Sequence, residues 1–391
     1  MSRIAMIFPL TVALSAASTA AASPVSVEWN LRFRHEQVQD DAFARDAHAE
    51  TARLRLALRV ALGKGVFVLL EGEGVASAGN DYNSGANGRT TWPGIADPKG
   101  AEINQALIGW RGSRLATSLG RQRINWDNQR WIGSVGWRQN EQTFDAASME
   151  FNVSPELTVR YAWLDRVHRV AGDDAIDPMA RERQLDSHLF NVGYKQGLQQ
   201  WTAYAYMHDD RDVPIASSTT FGLRWTGAAH SQWGWTAEVA RQVDQADNPV
   251  DFGHAYWLLE PSLLAQGITW KLGWEHLGGD GHHALQTPLA TLHAFNGWAD
   301  KFTTTPVAGL DDGYLSASGK AGKLAWTLAA HDYRADQGGQ HYGREFDLSI
   351  GRQMGAHWNG LVKIADYRAD GFARDTRKIW LQAEYTGKLP R

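Results

Sequence analysis

The run Val25-Ser26-Val27-Glu28-Trp29-Asn30-Leu31-Arg32-Phe33-Arg34 alternates without a break, and its reading decides the fold. Val25, Val27, Trp29, Leu31 and Phe33 share one parity; Ser26, Glu28, Asn30, Arg32 and Arg34 share the other. Side chains along a strand point alternately to opposite faces, so this is a strand with one apolar and one wet side. The run from Thr51 to Val60 repeats it, with Ala52, Leu54, Leu56, Leu58 and Val60 against Thr51, Arg53, Arg55 and Arg59. No helical period competes in either segment.

The same alternation continues to the end of the chain. Val66/Val68/Leu70, Phe221/Leu223/Trp225, Trp233/Trp235/Ala237/Val239, Ile268/Trp270/Leu272/Trp274, Phe346/Leu348/Ile350 and Ile379/Leu381/Ala383/Tyr385 are further apolar sets, and none carries a charge. The opposite parity carries Glu71, Glu73, Arg224, Glu238, Lys271, Glu275, Glu345, Asp347, Lys378 and Glu384. A charge facing lipid near mid-membrane costs about 2–4 kcal/mol, which accounts for an uncharged outer parity. Eighteen strands fit between 25–36 and 376–386, and sixteen is the alternative. Segments 101–111, 252–264, 312–319 and 357–367 have ambiguous apolar faces. Every second connection is a tight turn, as at Gly63-Lys64-Gly65, Gly112-Ser113 and Ala265-Gln266-Gly267. The intervening connections, 77–100, 124–140, 167–186 and 278–311, are long and polar. The expected fold is therefore all-β: a transmembrane antiparallel β-barrel of about 18 strands, with short periplasmic turns and long extracellular loops.

Composition agrees. The 391 residues carry 39 basic and 43 acidic side chains, a net charge of −4, which excludes a polycation built for nucleic acid. A mean hydropathy of −0.40 is too polar for a bundle of membrane helices. The absence of cysteine excludes disulfide scaffolds, lipoprotein anchoring, thiolate zinc sites and thiol catalysis. Arg3, the apolar run Ile4 to Ala17 and Ala20-Ala21-Ala22 before Ser23-Pro24 form a secretory signal, so residues 1–22 are an address and 23–391 the barrel.

Sixteen to eighteen strands enclose an aqueous channel, whose selectivity follows the lumen charge. Arg32, Arg34, Arg53, Arg55 and Arg59 on the wet parity form a candidate anion-facing wall, with Glu71 and Glu73 as spacers. Pairing across Gly63-Lys64-Gly65 sets Glu73 opposite Arg55 and Glu71 diagonal to Arg55 and Arg59. A plain cross-strand charge ladder is the structural alternative. Glu238, Glu275, Glu345, Asp347 and Glu384 on later strands make the lumen mixed in sign. The loop from Gly120 to Asp145 is dense in Trp, Arg, Asn and Gln, and its Arg130 and Arg138 are further candidates for binding sugars or uronates. Folding of that loop against the wall is the alternative.

That loop, the start Leu31-Arg32-Phe33-Arg34-His35-Glu36, and the stretch Thr287-Pro288-Leu289-Ala290-Thr291-Leu292-His293-Ala294-Phe295-Asn296-Gly297-Trp298-Ala299-Asp300-Lys301-Phe302 together resemble the bacterial alginate export family. The resemblance spans essentially the whole chain after the signal. It implies an outer-membrane barrel with a charged pore, handling an anionic oligo- or polysaccharide by passive diffusion, with outer-membrane lipid around it and no cofactor. Two features stand apart: no long turn on the periplasmic side, and residues Thr386 to Arg391 following the aromatic end of the last strand at Tyr385.

Two readings from other classes compete: an outer-membrane hydrolase or lyase acting on polysaccharide or lipid, and a structural barrel occluded by loop 77–100 or 124–140. His282, His283 and His293 with Asp280 share the longest loop but lack the spacing of a metal signature. The pairs Asp173-Asp174 and Asp311-Asp312 lack calcium-loop spacing. No metal site is expected.

Overall fold

The computed structural model describes residues 24–229 and 232–389. The expected signal segment, 1–22, lies outside the described residues, as do Pro390 and Arg391. Eighteen strands follow one another. The first six are β1 (Val25–Asp40), β2 (Ala47–Gly63), β3 (Val66–Ser77), β4 (Gly100–Arg111), β5 (Leu115–Gln122) and β6 (Thr143–Asn152). Next come β7 (Leu157–His168), β8 (Glu182–Gln196), β9 (Gln199–His208), β10 (Ser218–Ala229), β11 (Trp233–Asp244) and β12 (Gly253–Ala265). The last six are β13 (Ile268–Leu277), β14 (Leu310–Ala321), β15 (Leu324–Arg334), β16 (His341–Met354), β17 (Trp358–Ala369) and β18 (Thr376–Lys388).

Each strand pairs antiparallel with its sequence neighbours, and β1 pairs with both β2 and β18, so the sheet closes into a barrel without an edge. Closure satisfies the backbone groups that hydrocarbon cannot. Among the described residues no helix is long and apolar enough to cross a membrane. The outer parity is apolar and uncovered: Leu54, Leu56, Phe221, Leu272 and Phe346 are all about half exposed or more. Trp110, Trp225, Trp233, Trp270 and Trp358 lie within a few residues of the short turns, forming an aromatic belt at that rim.

Every expected strand is present, and the differences are informative. Strands run further at the long-loop rim, with β1 reaching Asp40 and β8 starting at Glu182. Beyond the bilayer both faces are wet, so the alternation fades while backbone pairing continues. The face of 101–111 was ambiguous because of a bulge: Glu71 opposes Gln105, Gly72 opposes Ile103, and Asn104 is the extra residue. Asn104 and Gln105 are consequently both buried inward, and the parity flips in mid-strand. In β12, Leu258 faces inward and Leu259 outward, because this lumen has an apolar filling that takes inward-facing leucines. The residues after Tyr385 extend the last strand, for Thr386, Gly387 and Lys388 pair with Asn30, Trp29 and Glu28. The alternation hides this because Gly387 has no side chain; a Cβ there would lie 2.2 Å from the Trp29 ring.

Candidate functional site

Three long connections turn into the barrel instead of standing above it: 78–99, 123–142 and 278–309. The two longest-reaching, 123–142 and 278–309, lock together inside. Gly133 donates its N–H to the Leu289 carbonyl at 2.9 Å, and Thr291 donates to the Gln129 carbonyl at 3.0 Å. Gln142 Nε2 donates to both Gly133 and Leu289 carbonyls, and Thr291 Oγ1 to Gln129 Oε1 at 2.7 Å. The approach is close: a Cβ on Gly133 would sit 2.2 Å from Thr291 Oγ1. Backbone strain concentrates here too. Among the described residues, nine other than glycine have positive φ, and Asp127, Gln129, Val135, Asn296 and Asp300 of these two loops are five of them. Val135, β-branched at φ 53°, is held by its N–H on Thr291 Oγ1 and by its carbonyl under Arg138 N–H.

The loops bring an apolar filling with them. Trp131 packs edge-on to Tyr256 with centroids 5.1 Å apart, touches Tyr204, and donates Nε1–H to Glu238 at 2.8 Å. Phe302 packs against Tyr333 at 4.4 Å and against Phe372 at 5.3 Å.

The arginines of β1 and β2 meet this insert. Arg32 Nη1 donates to the carbonyls of Gly136, Trp137 and Arg138 at 3.1–3.3 Å, and Arg34 Nη2 to the Trp137 carbonyl at 2.6 Å. The Gln139 carbonyl accepts from Arg53 Nη1 at 3.4 Å and Arg55 Nη2 at 3.1 Å. Carboxylates complete the set: Glu384 beside Arg32 and Arg53, Asp97 beside Arg34, and Glu73 and Glu141 on Arg55. Thus the expected Glu73–Arg55 pair is formed, in the expected register. Glu71 keeps the expected diagonal register, opposite Ala57, but pairs with neither Arg55 nor Arg59. The bulge gives it Asn104, and its main partner is Arg123, which also binds Glu141. Arg59 stands apart near the short-turn rim, its guanidinium 3.5 Å over the Phe67 ring. Four of the five arginines therefore converge, and the fifth does not.

Arg138 reaches Glu36 at 3.3 Å and Asp300 at 3.2 Å, crossing from one loop to the wall and to the other loop. Asp300 also takes Lys378 at 2.7 Å and His293 Nδ1 at 2.7 Å. His293 Nε2 lies 2.7 Å from Lys363 Nζ, and its ring stacks on Trp137 at 4.6 Å. A neutral imidazole satisfies both neighbours, donating from Nδ1 to Asp300 and accepting at Nε2 from the ammonium. Lys363 lies over the rings of Trp298 and Trp137, at 3.7 and 4.4 Å. Arg130 is buried against Glu275 at 2.8 Å and donates Nη2–H to Asn296 Oδ1.

Electrostatics of the loop groups follow from this packing. Burial pushes His293 down to about 3, with Lys363 beside it opposing a second charge. Burial alone would raise Glu141, but Arg55 and Arg123 overcome it and hold the carboxyl near about 2. Asp300 is likewise held well below the usual carboxylate range, by His293, Lys378 and Arg138 against the cost of burial. These acids are charged anchors across the ordinary pH range.

Sequence reasoning missed Asp97, Arg123, Glu141, Asp300, His293, Lys363 and Lys378 as partners in one network. Lys378 and Glu384 were visible on the wet parity; Asp97 and Asp300 come from loops whose inward course no period announces. The histidine-rich loop divides. His293 enters the lumen, His283 stacks on Phe252 at 4.0 Å, and Asp280 caps the N–H groups of His282 and His283. Asp311 and Asp312 point to opposite faces, to His276 and His331. His276, Asp311 and Asp336 come within reach of a common point. Ser187 Oγ lies 3.0 Å from His208 Nδ1, but His208 Nε2 has no hydrogen-bond partner among the described residues.

Residues 23–276 match the family model described as alginate export. No curated protein matches the chain. Among solved structures, OpdO of Pseudomonas aeruginosa is similar at a TM-score of 0.74 and 14% identity, covering 94% of this chain and 98% of its own. OccAB2 of Acinetobacter baumannii gives 0.73 at 14% identity over 94% and 98%. OpdK of P. aeruginosa, also solved with vanillate, gives 0.73 at 14% identity over 93% and 98%. At such identity the likeness concerns the barrel.

Proposed function

The chain belongs to the alginate export family, and from that premise we propose that this porin-like outer-membrane barrel passes hydrophilic, anionic carbohydrate by diffusion along its arginine-lined wall. One observation carries the reading. Arg32, Arg34, Arg53 and Arg55 spend much of their donor capacity on backbone carbonyls of residues 136–139. Those acceptors are neutral. A uronate carboxylate fits the same planar fork and forms charge-assisted bonds about twice as strong. An arriving anion therefore displaces a carbonyl, and the carbonyl reclaims the guanidinium as the anion leaves. Entry is favourable and release is not blocked, as conduction requires. Arg138 and Lys378, grouped around Asp300, are the next cations along the insert. The vanillate found with OpdK is itself a carboxylate, which supports an anionic solute. Residues 1–22 supply the export signal, and no cofactor enters the mechanism.

The test is planar-bilayer conductance and ion selectivity, with and without oligouronate, for the wild type, Arg55→Glu and Arg32→Gln. A steady current with anion preference, reduced by oligouronate and weakened in both variants, is expected. Unchanged selectivity in the variants removes the arginines from the mechanism. A second reading, an occluded structural barrel, draws on the apolar filling around Trp131 and Phe302, and the absence of any current would favour it. Cleavage of polysaccharide by the purified protein would favour the enzymatic alternative.

A further inference from the structure

A second gathering of cations stands at the mouth of the lumen, where β7, β8 and β9 reach the long-loop rim, six strands round the barrel from β2. Val167 and Leu185 are buried and mark the inward parity there, as Tyr204 and Tyr206 do on β9. Arg183 and His208 share those parities, and Arg169 follows Val167 by two residues. Arg183 opposes Val167 in register, and the Arg169 N–H donates to the Arg181 carbonyl at 2.8 Å, so the two arginines rise side by side from adjacent strands. Asp210, Arg183 and Arg169 are the charges that act on His208. The turn that carries Arg169 is fixed. Gly172, at φ 69°, donates its N–H to the Arg169 carbonyl at 3.0 Å, and a Cβ on it would collide with Glu102 Oε1 and lie 3.0 Å from Asn140 Nδ2 of the inserted loop.

Donors outnumber acceptors at this spot. Asp210 takes Arg183 Nη1 at 3.1 Å and the Val213 N–H at 2.8 Å. Arg183 Nε donates to the Met179 carbonyl at 2.9 Å, and its Nη2 has no partner among the described residues. The Arg169 guanidinium forms no hydrogen bond and no ion pair among the described residues. Asp177, the other acid whose charge reaches it, is engaged in capping the Met179 N–H at 2.9 Å. Burial, and then Arg183, push Arg169 down to about 10 against the pull of the two acids. His208, 5% exposed, holds Nδ1 3.0 Å from Ser187 Oγ, while its Nε2 is buried without a partner. With the Ser187 hydroxyl donating to Nδ1, the tautomer assigned from that contact, Nε2–H is a donor lacking an acceptor. An arginine partly withdrawn from water beside a second arginine is costly unless an anion completes it.

We propose that Arg169 and Arg183, with His208 beside them, form a separate anion site at the outer mouth that holds the carboxylate of a uronate. The site rests on the reading of the barrel as a path for anionic carbohydrate, and adds to it a binding station away from the arginines of β1 and β2. The planar fork of Arg169 offers two parallel N–H groups to the two carboxylate oxygens. Arg183 keeps Asp210 and contributes its Nη2. A neutral sugar brings no charge to offset the two guanidinium groups, so the station selects by charge.

Titration calorimetry of the detergent-purified full chain tests it, with trigalacturonate, neutral maltotriose and inorganic phosphate as probes. Arg169→Gln should weaken trigalacturonate binding about tenfold, since a charge-assisted pair is lost. The same step should appear in the Arg55→Glu background, which separates the mouth from the β1–β2 wall. Arg352→Gln, exposed near the short-turn rim, should change nothing. Without ligand, Arg169→Gln should raise the temperature at which the heat-dependent electrophoretic shift is lost, because an unpaired charge is removed; a purely structural arginine would lower it. Arg169→Lys, which keeps the charge without the fork, is the second variant and should bind with intermediate strength. Equal trigalacturonate binding by wild type and Arg169→Gln, equal binding of maltotriose, or a lowered transition in Arg169→Gln overturns the site, while anion selectivity lost in Arg55→Glu would still stand for the wall. A wild-type current without anion preference would instead sink the passage of anions, and Arg169-dependent binding would still uphold the site. Displacement of trigalacturonate by phosphate at equal concentration would assign the pocket to a free inorganic anion and overturn the uronate.

Discussion

Glu141 is the residue on which the inserted loop turns. Its carboxylate joins Arg55 on the wall to Arg123 at the loop's base, and all three are largely withdrawn from water. Glu141→Gln keeps the shape and removes the charge; Arg55 retains Glu73 and Arg123 retains Glu71. The loss is then that of a charge-assisted hydrogen-bond set, about 2–3 kcal/mol, read as a lower urea midpoint in tryptophan-detected unfolding. The pH response has one sign. Glu141, held near about 2 against an ordinary 4.5, contributes stability that is complete above pH 4.5 and fades as pH falls toward 2. His293 is pushed down to about 3 and docks as the neutral ring, so its contribution is complete above pH 6.5 and fades as pH falls toward 3. By pH 5 the His293 part has dropped by about 2 kcal/mol. Acidification from pH 7 to 5 should therefore lower the urea midpoint while the Trp137–His293 stack of the folded protein holds, with a second loss below pH 4.5. A midpoint that falls on the alkaline side of neutrality instead would contradict both assignments.

At the scale of elements, strand pairs here are often completed by an aromatic ring laid over a glycine. Tyr204 of β9 opposes Gly222 of β10, and a Cβ on Gly222 would lie 2.1 Å from the ring. That ring also donates its hydroxyl to Glu238 at 2.6 Å and packs on Trp131 of the inserted loop. Gly222→Ala should displace it, costing about 1–3 kcal/mol through overpacking. The measurement is the temperature at which the barrel loses its heat-dependent electrophoretic shift, compared with Gly193→Ala, where a Cβ meets nothing. Element existence was legible in the sequence because lipid on one side and water on the other impose a period of two. Legibility failed where that contrast failed. Asn104 and Gln105 both turn inward at a bulge, and Leu258 and Tyr367 are apolar yet face the lumen. Each reflects packing partners that lie far away along the chain.

At the scale of the molecule, the barrel is a wall around an insert. Loops 123–142 and 278–309 bond to each other, and the first of them bonds to the wall arginines through residues 136–141. Replacing residues 126–138 by a Gly-Ser linker should raise single-channel conductance several-fold while leaving the strand signature in circular dichroism unchanged. Unaltered conductance would mean that current bypasses the insert altogether. The Arg55–Glu73 pair was readable beforehand, since register follows from a tight turn and a period of two. Asp97 on Arg34, Asp300 under Arg138 and the stacking of Trp137 on His293 were not. The amino-acid sequence by itself determined a closed barrel of about eighteen strands, its tight turns and most of its inner and outer faces, because solvent contrast acts residue by residue. Only the tertiary structure decided that long loops fold inward and take up the arginines, because those contacts join residues 63 to 106 positions apart.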